Sequence, residues 1–279
     1  MKLCDSGNSV EVYGGRNVDV MPRLLADGRI PMSASQLMHY RMDEGGKFSD
    51  WKNYFDTSDL IAYSSKGDGK IKFVLTVDKG GKITENGRKA LELINPDAKR
   101  KSGAIELAGD QYQTLDGIEV ATGNFGRTGS RLTQGEILGN KVWRILARHP
   151  DEVPAEFAED PNLLKEYSSW VANQTGDNKN MAVYVDSLGK SPKLGAWYVG
   201  RLEDRSGAYG GDVLDDGSGR LLGIAPEALD TKIVRPTLEQ TLTVGSILEE
   251  TGHTSAFAPD QIKKLQNIFE QKGYQIQKK

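Results

Sequence analysis

Residues 194–224 read LGAWYVGRLEDRSGAYGGDVLDDGSGRLLGI, with an apolar, strand-like run at each end and a long polar insertion between them. Aromatic and aliphatic residues that alternate with small or polar ones are typical of half-buried strands. Alternation along the first run predicts that Trp197 and Val199 lie in the core and that Tyr198 lies outside.

The insertion, Arg201–Arg220, combines glycines with acidic residues. Its carboxylates belong to Glu203, Asp204, Asp212, Asp215 and Asp216. Converging oxygen ligands can bind Mg²⁺ or Ca²⁺, so Asp212, Asp215 and Asp216 are candidate metal ligands for a divalent cation. The spacing is not that of an EF-hand, because the twelfth position counted from Asp212 is Gly223. Aspartates also favour turns, so a solvated connector is the simpler interpretation.

Alternating residues elsewhere predict further strands joined by tight turns. Asp59–Ser64 is expected to pair with Lys70–Val77 as a hairpin. An earlier hairpin is predicted from Ser9–Tyr13 and Arg16–Val20, because the glycine pair between them suits a type I′ turn. From residue 103 onward, the runs GAIELA, QYQTL and IEVAT predict a meander.

Helices are predicted where capping residues precede apolar residues at helical spacing. They begin near Ser33, Thr84, Thr133, Asp160, Thr237 and Pro259 and end near Met42, Ile94, His149, Gly176, Glu250 and Lys272. Along the sequence, the predicted strands occur in clusters separated by helices. This order predicts an α+β fold of antiparallel hairpins and a meander packed with about five or six helices. Two domains, 1–100 and 101–279, or a single domain would fit this order.

A second loop that could bind a ligand is Gly123–Arg131, GNFGRTGSR, which leads into the helix capped by Thr133. Glycines before a helix N-terminus favour anions, because backbone N–H groups and the helix dipole point at the ligand. Arg127 and Arg131 could add charge-assisted hydrogen bonds. No lysine follows Gly129, so the loop is not a P-loop, and a solvated strand-to-helix connection is the alternative.

Aromatic side chains stand beside the polar insertion, with Tyr198 on the first strand and Tyr209 within the insertion. Ligand clefts often combine aromatic walls with a few polar groups. Tyr198 and Tyr209, together with Arg127 and Arg131, are therefore the candidate ligand-binding residues. A small anionic ligand or a protein partner would suit them.

The composition argues against several classes of partner. A net charge of −3 and a pI near 5.8 give no overall attraction to nucleic acid or to an anionic membrane. No apolar run approaches the roughly 18 residues of a membrane helix, and the first residues lack the apolar core of a signal peptide. The single Cys4 cannot form an internal disulfide. These observations predict a cytoplasmic protein.

No complete catalytic motif is found in the sequence. His39, His149 and His253 are scattered, so a zinc site built from neighbouring histidines is not predicted, and the GxSxG pattern is absent. The first hypothesis is therefore a binding or accessory protein without a catalytic centre. The second is a hydrolase or phosphoryl-handling enzyme in which the acidic loop holds Mg²⁺ opposite Arg127 and Arg131.

Overall fold

The structure is a computed structural model that describes residues 10–43, 53–64, 69–108, 110–122, 129–177, 181–185, 191–202, 206–211 and 214–226. The chain divides into two units, Met1–Lys232 and Ile233–Lys279, and all described residues belong to the first. The two helices predicted after residue 236 lie outside the described residues. The domain boundary predicted near residue 100 stays a prediction.

A mixed sheet of eleven strands forms the centre of the described part of the chain. Its strands are β1 (Val10–Gly14), β2 (Ile30–Pro31), β3 (Phe55–Tyr63), β4 (Lys70–Val74), β5 (Arg100–Lys101), β6 (Ala104–Glu106), β7 (Ile118–Ala121), β8 (Val183–Val185), β9 (Lys193–Val199), β10 (Ala208–Gly211) and β11 (Arg220–Ile224). The main path runs β1-β11-β3-β9-β10-β8, and the other five strands pair beside it. The β11–β3 and β10–β8 pairs are parallel, whereas β1–β11, β3–β9 and β9–β10 are antiparallel.

Seven helices occur in the described ranges, and only four of them have eight residues or more. They are α1 (Asn17–Ala26), α2 (Ala34–Asp43), α3 (Glu85–Glu92), α4 (Gln111–Thr114), α5 (Gln134–Gly139), α6 (Lys141–Leu146) and α7 (Leu163–Thr175). None of these helices has the length and apolar character needed to cross a bilayer. The predicted cytoplasmic location stays a prediction.

Two apolar layers pack against the two faces of the sheet. Side chains alternate between faces along a strand, so Leu60 and Ile61 of β3 belong to different layers. The Ile61 layer includes apolar residues of α2, α6 and α7, and the Leu60 layer includes apolar residues of α1 and α3. All nine residues of β3 are buried, because helices cover this strand from both sides.

The predicted fold class, α+β with hairpins and a meander packed by helices, is wrong. The described part of the chain is rich in sheet, and its strands join one mixed sheet in an order far from that of the sequence. The meander does not form, since β6 pairs with β5 and β9, β7 pairs with β4, and the QYQTL run contains α4. Pairing with strands that are distant in the sequence replaces the local pairing predicted for the meander.

The first predicted hairpin is also wrong. Residues after the Gly14-Gly15 pair form α1, and β1 pairs with β11 instead, with Val10 opposite Ile224. The second hairpin is confirmed, because β3 and β4 are antiparallel neighbours with Leu60 opposite Val74.

Candidate binding surface

Three tyrosines stack across neighbouring strands at one end of the sheet. Tyr184 on β8 lies opposite Tyr209 on β10, and Tyr209 lies opposite Tyr198 on β9. The ring centroids are 4.3 Å apart for Tyr184 and Tyr209 and 4.7 Å apart for Tyr198 and Tyr209, with interplanar angles of 2° and 6°. All three residues are half-buried. We call them the tyrosine ladder.

Tyr54 and Arg201 extend the tyrosine ladder. Tyr54 directly precedes β3, and its ring meets that of Tyr198 at 87° with 5.6 Å between the centroids. The guanidinium carbon of Arg201 lies 4.9 Å from the centroid of the Tyr54 ring, which is a cation–π contact. Arg201 is exposed and Tyr54 is half-buried. Together with the ladder they form a continuous aromatic and cationic surface.

Strand register places the ladder on one face of the sheet, because residues directly opposite each other project to the same side. Trp197 and Val199 of β9 project to the other side and are buried, and Trp197 stacks on Phe73 with 4.9 Å between ring centroids. The alternation predicted for this strand is confirmed, with the two core residues buried and Tyr198 half-buried.

Two glycines leave room for the rings of the ladder. A Cβ on Gly207 would lie 3.0 Å from Cε2 of Tyr209 and 3.3 Å from Cε2 of Tyr184. A Cβ on Gly129 would lie 2.8 Å from Cε1 of Tyr184, and the φ of Gly129 is +77°, a conformation that favours glycine. The stack therefore depends on backbone that passes close to the ring edges.

Replacing Gly207 with alanine is expected to lower the free energy of unfolding by about 1–3 kcal/mol, because the added methyl group overpacks the ladder. The near-ultraviolet circular dichroism of the tyrosines should change as well. Gly217→Ala is the matched control, since a Cβ at that position meets nothing within 4 Å. Urea unfolding of the two variants checks the prediction, and equal stabilities would contradict it.

Arg41 of α2 forms hydrogen bonds that connect Gly200 and Ser206, which lie between β9 and β10, to helix α7. Its Nη2 donates to the carbonyl oxygen of Gly200 at 3.0 Å, and its Nη1 donates to the hydroxyl of Tyr167 on α7 at 2.8 Å. Nη1 also donates to Oγ of Ser206 at 3.4 Å. Gly200 directly follows β9, and Ser206 shortly precedes β10. Arg41, which is fully buried, therefore helps to position the two strands that carry Tyr198 and its neighbour in the ladder.

The candidate metal ligands are described in part. Oδ1 of Asp215 lies 3.0 Å from Nε of Arg100. Oδ1 of Asp216 accepts hydrogen bonds from the backbone N–H and the hydroxyl of Ser218, and these bonds hold the pKa of Asp216 below its ordinary value. Asp212 lies outside the described residues. Within the described ranges no three histidine, cysteine or acidic side chains are placed to hold a metal ion, and the metal site stays a prediction.

The candidate anion loop is also described only at its end. Arg131 forms an exposed ion pair with Asp177, with 3.0 Å between Nη1 and Oδ2, whereas Arg127 lies outside the described residues. The capping box predicted after the loop is confirmed, because Thr133 and Glu136 exchange their two hydrogen bonds at the start of α5. Anion binding by the two arginines stays a prediction.

A buried carboxylate that is not among the site residues predicted from the sequence lies opposite Tyr198. Asp56 of β3 is 6% exposed, and Nδ2 of Asn17 donates to its Oδ2 at 3.2 Å. The pKa of Asp56 is raised to about 7, chiefly by burial; the hydrogen bond from Asn17 opposes the rise, and the charge of Asp216 adds to it. The available signal is a pair of acids, Asp56 and Asp59, inside a run that forms a buried strand.

Tyr54, Tyr184 and Arg201 are also absent from the site residues that the sequence predicts. The sequence does contain a signal for Tyr184, because the run Met181–Asp186, MAVYVD, has the composition of a strand, and side chains along a strand alternate between its two faces. The stacking of three tyrosines depends on strand order, which no local pattern contains. Tyr54 and Arg201 lie just outside their strands, where the pattern gives no orientation.

Comparison with known proteins identifies the fold. A solved structure reported under the description "Accommodation of massive sequence variation in Nanoarchaeota by the C-type lectin fold" is similar to this chain, with a TM-score of 0.51 and 15% sequence identity. The likeness covers 78% of this chain and 99% of that chain. The fold is a C-type lectin fold. No protein-family model matches the sequence, and no curated protein matches it.

Proposed function

We propose that this chain is a binding protein that recognises a protein partner through the tyrosine ladder, Tyr54 and Arg201. The observation that carries the proposal is the parallel stack of three half-buried tyrosines on adjacent strands. Tyrosine and arginine are enriched among the residues that dominate protein interfaces. Tyrosine suits this role because its ring offers apolar area and a hydroxyl group while losing little conformational entropy.

Preorganisation supports the same proposal. Each ring of the ladder packs against its neighbour, and the Tyr54 ring contacts both the Tyr198 ring and the guanidinium of Arg201. Side chains that are already ordered lose less entropy when a partner binds. Arg41 adds rigidity, because it links Gly200, which follows β9, to α2 and α7.

The fold is compatible with a binding role. The similar structure from Nanoarchaeota is described as accommodating massive sequence variation in the C-type lectin fold. A scaffold that keeps its fold while its sequence varies suits a binding surface, because side chains on strands and loops can change without loss of the core.

The proposal is tested by selecting peptides from a displayed random library against the wild-type chain. Affinities of the selected peptides are then measured for the wild type and for Tyr198→Ala/Tyr209→Ala. We expect most peptides to lose at least about tenfold in affinity for the double variant, because truncating a tyrosine that is an interface hot spot costs about 2 kcal/mol or more. The control is Glu85→Ala/Lys89→Ala, which removes an exposed ion pair on α3. Peptides that bind the Tyr198→Ala/Tyr209→Ala variant as well as the wild type would refute the proposal.

The alternative hypothesis, a Mg²⁺-dependent hydrolase or phosphoryl-handling enzyme, makes a different prediction. Thermal unfolding is followed with Mg²⁺, Mn²⁺ or Ca²⁺ for the wild type and for Asp215→Ala/Asp216→Ala. A binding protein of the kind proposed is expected to show no metal-dependent stabilisation. Stabilisation of the wild type that is absent from the variant would favour the enzyme, since a ligand that binds only the folded state raises its stability.

A further inference from the structure

We propose that the tyrosine ladder is a site of oxidative modification, where a one-electron oxidant joins Tyr209 to Tyr184 or to Tyr198 by a dityrosine bond within one chain. The proposal is independent of partner binding, because it depends on the geometry of the rings and not on what the surface recognises.

The pair Tyr184–Tyr209 has a geometry suited to coupling. The two residues lie opposite each other on parallel strands, so their side chains leave the sheet on the same face. A centroid separation of 4.3 Å and an interplanar angle of 2° bring the ring faces into van der Waals contact. Tyrosyl radicals couple at the ring carbons next to the hydroxyl. One such carbon of each ring faces the same backbone position, because a Cβ on Gly207 would lie 3.0 Å from Cε2 of Tyr209 and 3.3 Å from Cε2 of Tyr184.

The pair Tyr198–Tyr209 offers a second coupling site. These residues lie opposite each other on antiparallel strands, with 4.7 Å between ring centroids and 6° between ring planes. Tyr209 is the central ring and belongs to both pairs. Any dityrosine formed within the ladder between neighbouring rings must therefore contain Tyr209.

The chemistry balances with a peroxide or another oxidant that accepts two electrons in one-electron steps. Each ring loses one electron and its phenolic proton and becomes a tyrosyl radical. The two radicals form one carbon–carbon bond, and the hydrogens on the coupled carbons move to the oxygens, which restores both phenols. Two electrons and two protons leave the protein. One molecule of hydrogen peroxide accepts these two electrons and two protons and becomes two water molecules, so no other reactant is needed.

The other tyrosines within the described ranges are less well placed to couple. The Tyr54 ring is nearly perpendicular to that of Tyr198, at 87°, so the two rings do not face each other. Tyr13, Tyr63 and Tyr167 are between 0% and 3% exposed, which shields them from an oxidant in solution. The ladder combines partial exposure with parallel stacking, and oxidation is expected to be selective for it.

The experiment uses the full chain at low concentration, with photolysed tris(bipyridyl)ruthenium and persulfate as the one-electron oxidant. We expect a monomeric product with dityrosine fluorescence and a mass lower by two hydrogens. Tandem mass spectrometry of its digest should contain peptides that link Tyr209 to Tyr184 or to Tyr198. The variant Tyr209→Phe keeps the ring but not the phenol, and it should lose these linked peptides.

The control variant is Tyr13→Phe, which removes a buried phenol whose hydroxyl donates to Oδ2 of Asp27. It should give the same linked peptides as the wild type, and far-ultraviolet circular dichroism checks that both variants are folded. The proposal is overturned if the wild type gives no dityrosine, if links form only between chains, or if Tyr209→Phe yields as much intrachain dityrosine as the wild type.

Discussion

Replacing Arg148 with methionine is expected to lower the free energy of unfolding by about 3–5 kcal/mol, because it leaves a buried carboxylate without its cation. Nη2 of Arg148 donates to Oδ1 of Asp59 at 2.6 Å, and the two side chains are 2% and 0% exposed. Methionine fills similar space along the chain of the arginine, so the loss reflects mainly the missing charge. Urea unfolding at neutral pH gives the value.

The loss should depend on pH. Burial raises the pKa of Asp59, while the charge of Arg148 and the backbone N–H of Ala34 lower it. Without Arg148 the folded-state pKa of Asp59 rises further above its unfolded value, so the folded variant binds a proton more tightly than the unfolded chain. The variant should therefore be least impaired at low pH and should lose stability as the pH rises through the folded-state pKa.

Two controls separate this effect from a general effect of mutation. Arg131→Met breaks the exposed pair with Asp177 and should change stability by no more than about 1 kcal/mol. Asp59→Leu/Arg148→Met removes both buried charges and should recover part of the loss, because no charge is then left unpaired. If Arg148→Met costs no more than Arg131→Met, the buried pair does not hold the fold as described.

Local signals in the sequence are sufficient for the caps and turns. Thr84 caps α3 by accepting a hydrogen bond from the backbone N–H of Gly87 at 2.9 Å, as predicted. Gly176 ends α7 in the left-handed conformation, with φ of +69°. Each of these features depends on residues only a few positions apart, which is the range over which propensity and hydrogen bonding act alone.

The error at α1 comes from the length of the pattern. Residues Arg16–Val20 alternate over five positions and so resemble a strand, but the pattern continues at helical spacing. Val18, Met21 and Leu24 are all fully buried on one side of α1. A window that includes the next turn of the chain predicts a helix, because a spacing of three or four residues replaces a spacing of two.

The candidate surface depends on information that the sequence holds only weakly. Tyr198 lies beside the polar insertion and Tyr209 lies within it, so the sequence makes each of them a candidate separately. No local pattern indicates that their strands are neighbours. Tyr184 joins them because β8 pairs with β10 in parallel, which sets Tyr184 opposite Tyr209. Register between strands follows from packing of the whole sheet. The stacking of the three tyrosines therefore cannot be predicted from local patterns in one sequence.

The variant Asp56→Asn is expected to be more stable than the wild type above neutral pH. The folded-state pKa of Asp56 is raised from 3.8 to about 7, so the folded wild type holds a proton that the unfolded chain has lost. The free energy of unfolding of the wild type therefore falls as the pH rises from about 4 through about 7. Asparagine cannot titrate, and it keeps an acceptor oxygen for Asn17. The gain at high pH should be on the order of 4 kcal/mol at most.

The measurement is urea unfolding of both proteins at about pH 5 and about pH 8, where the difference between them should grow with pH. Asp216→Asn is the control, because it removes the charge that raises the pKa of Asp56 but leaves Asp56 able to titrate. Its stability should still fall as the pH rises from about 4, but the fall should be smaller and should end at a lower pH, because the folded-state pKa of Asp56 is then lower. Parallel curves for the wild type and Asp56→Asn would contradict the prediction.

The two predictions follow from one difference between two carboxylates of the same strand. Asp56 and Asp59 are both buried in β3, so both lose hydration on folding. Asp59 has a guanidinium at 2.6 Å, whereas the hydrogen bond described for the Asp56 carboxylate comes from the neutral amide of Asn17. Removing the charge of the cation at the first site should therefore destabilise the fold, and removing the charge of the carboxylate at the second should stabilise it. If burial alone mattered, removing a charge at either site would change the free energy of unfolding in the same direction. Changes in opposite directions would show that the partner of each carboxylate decides whether its charge is stabilising.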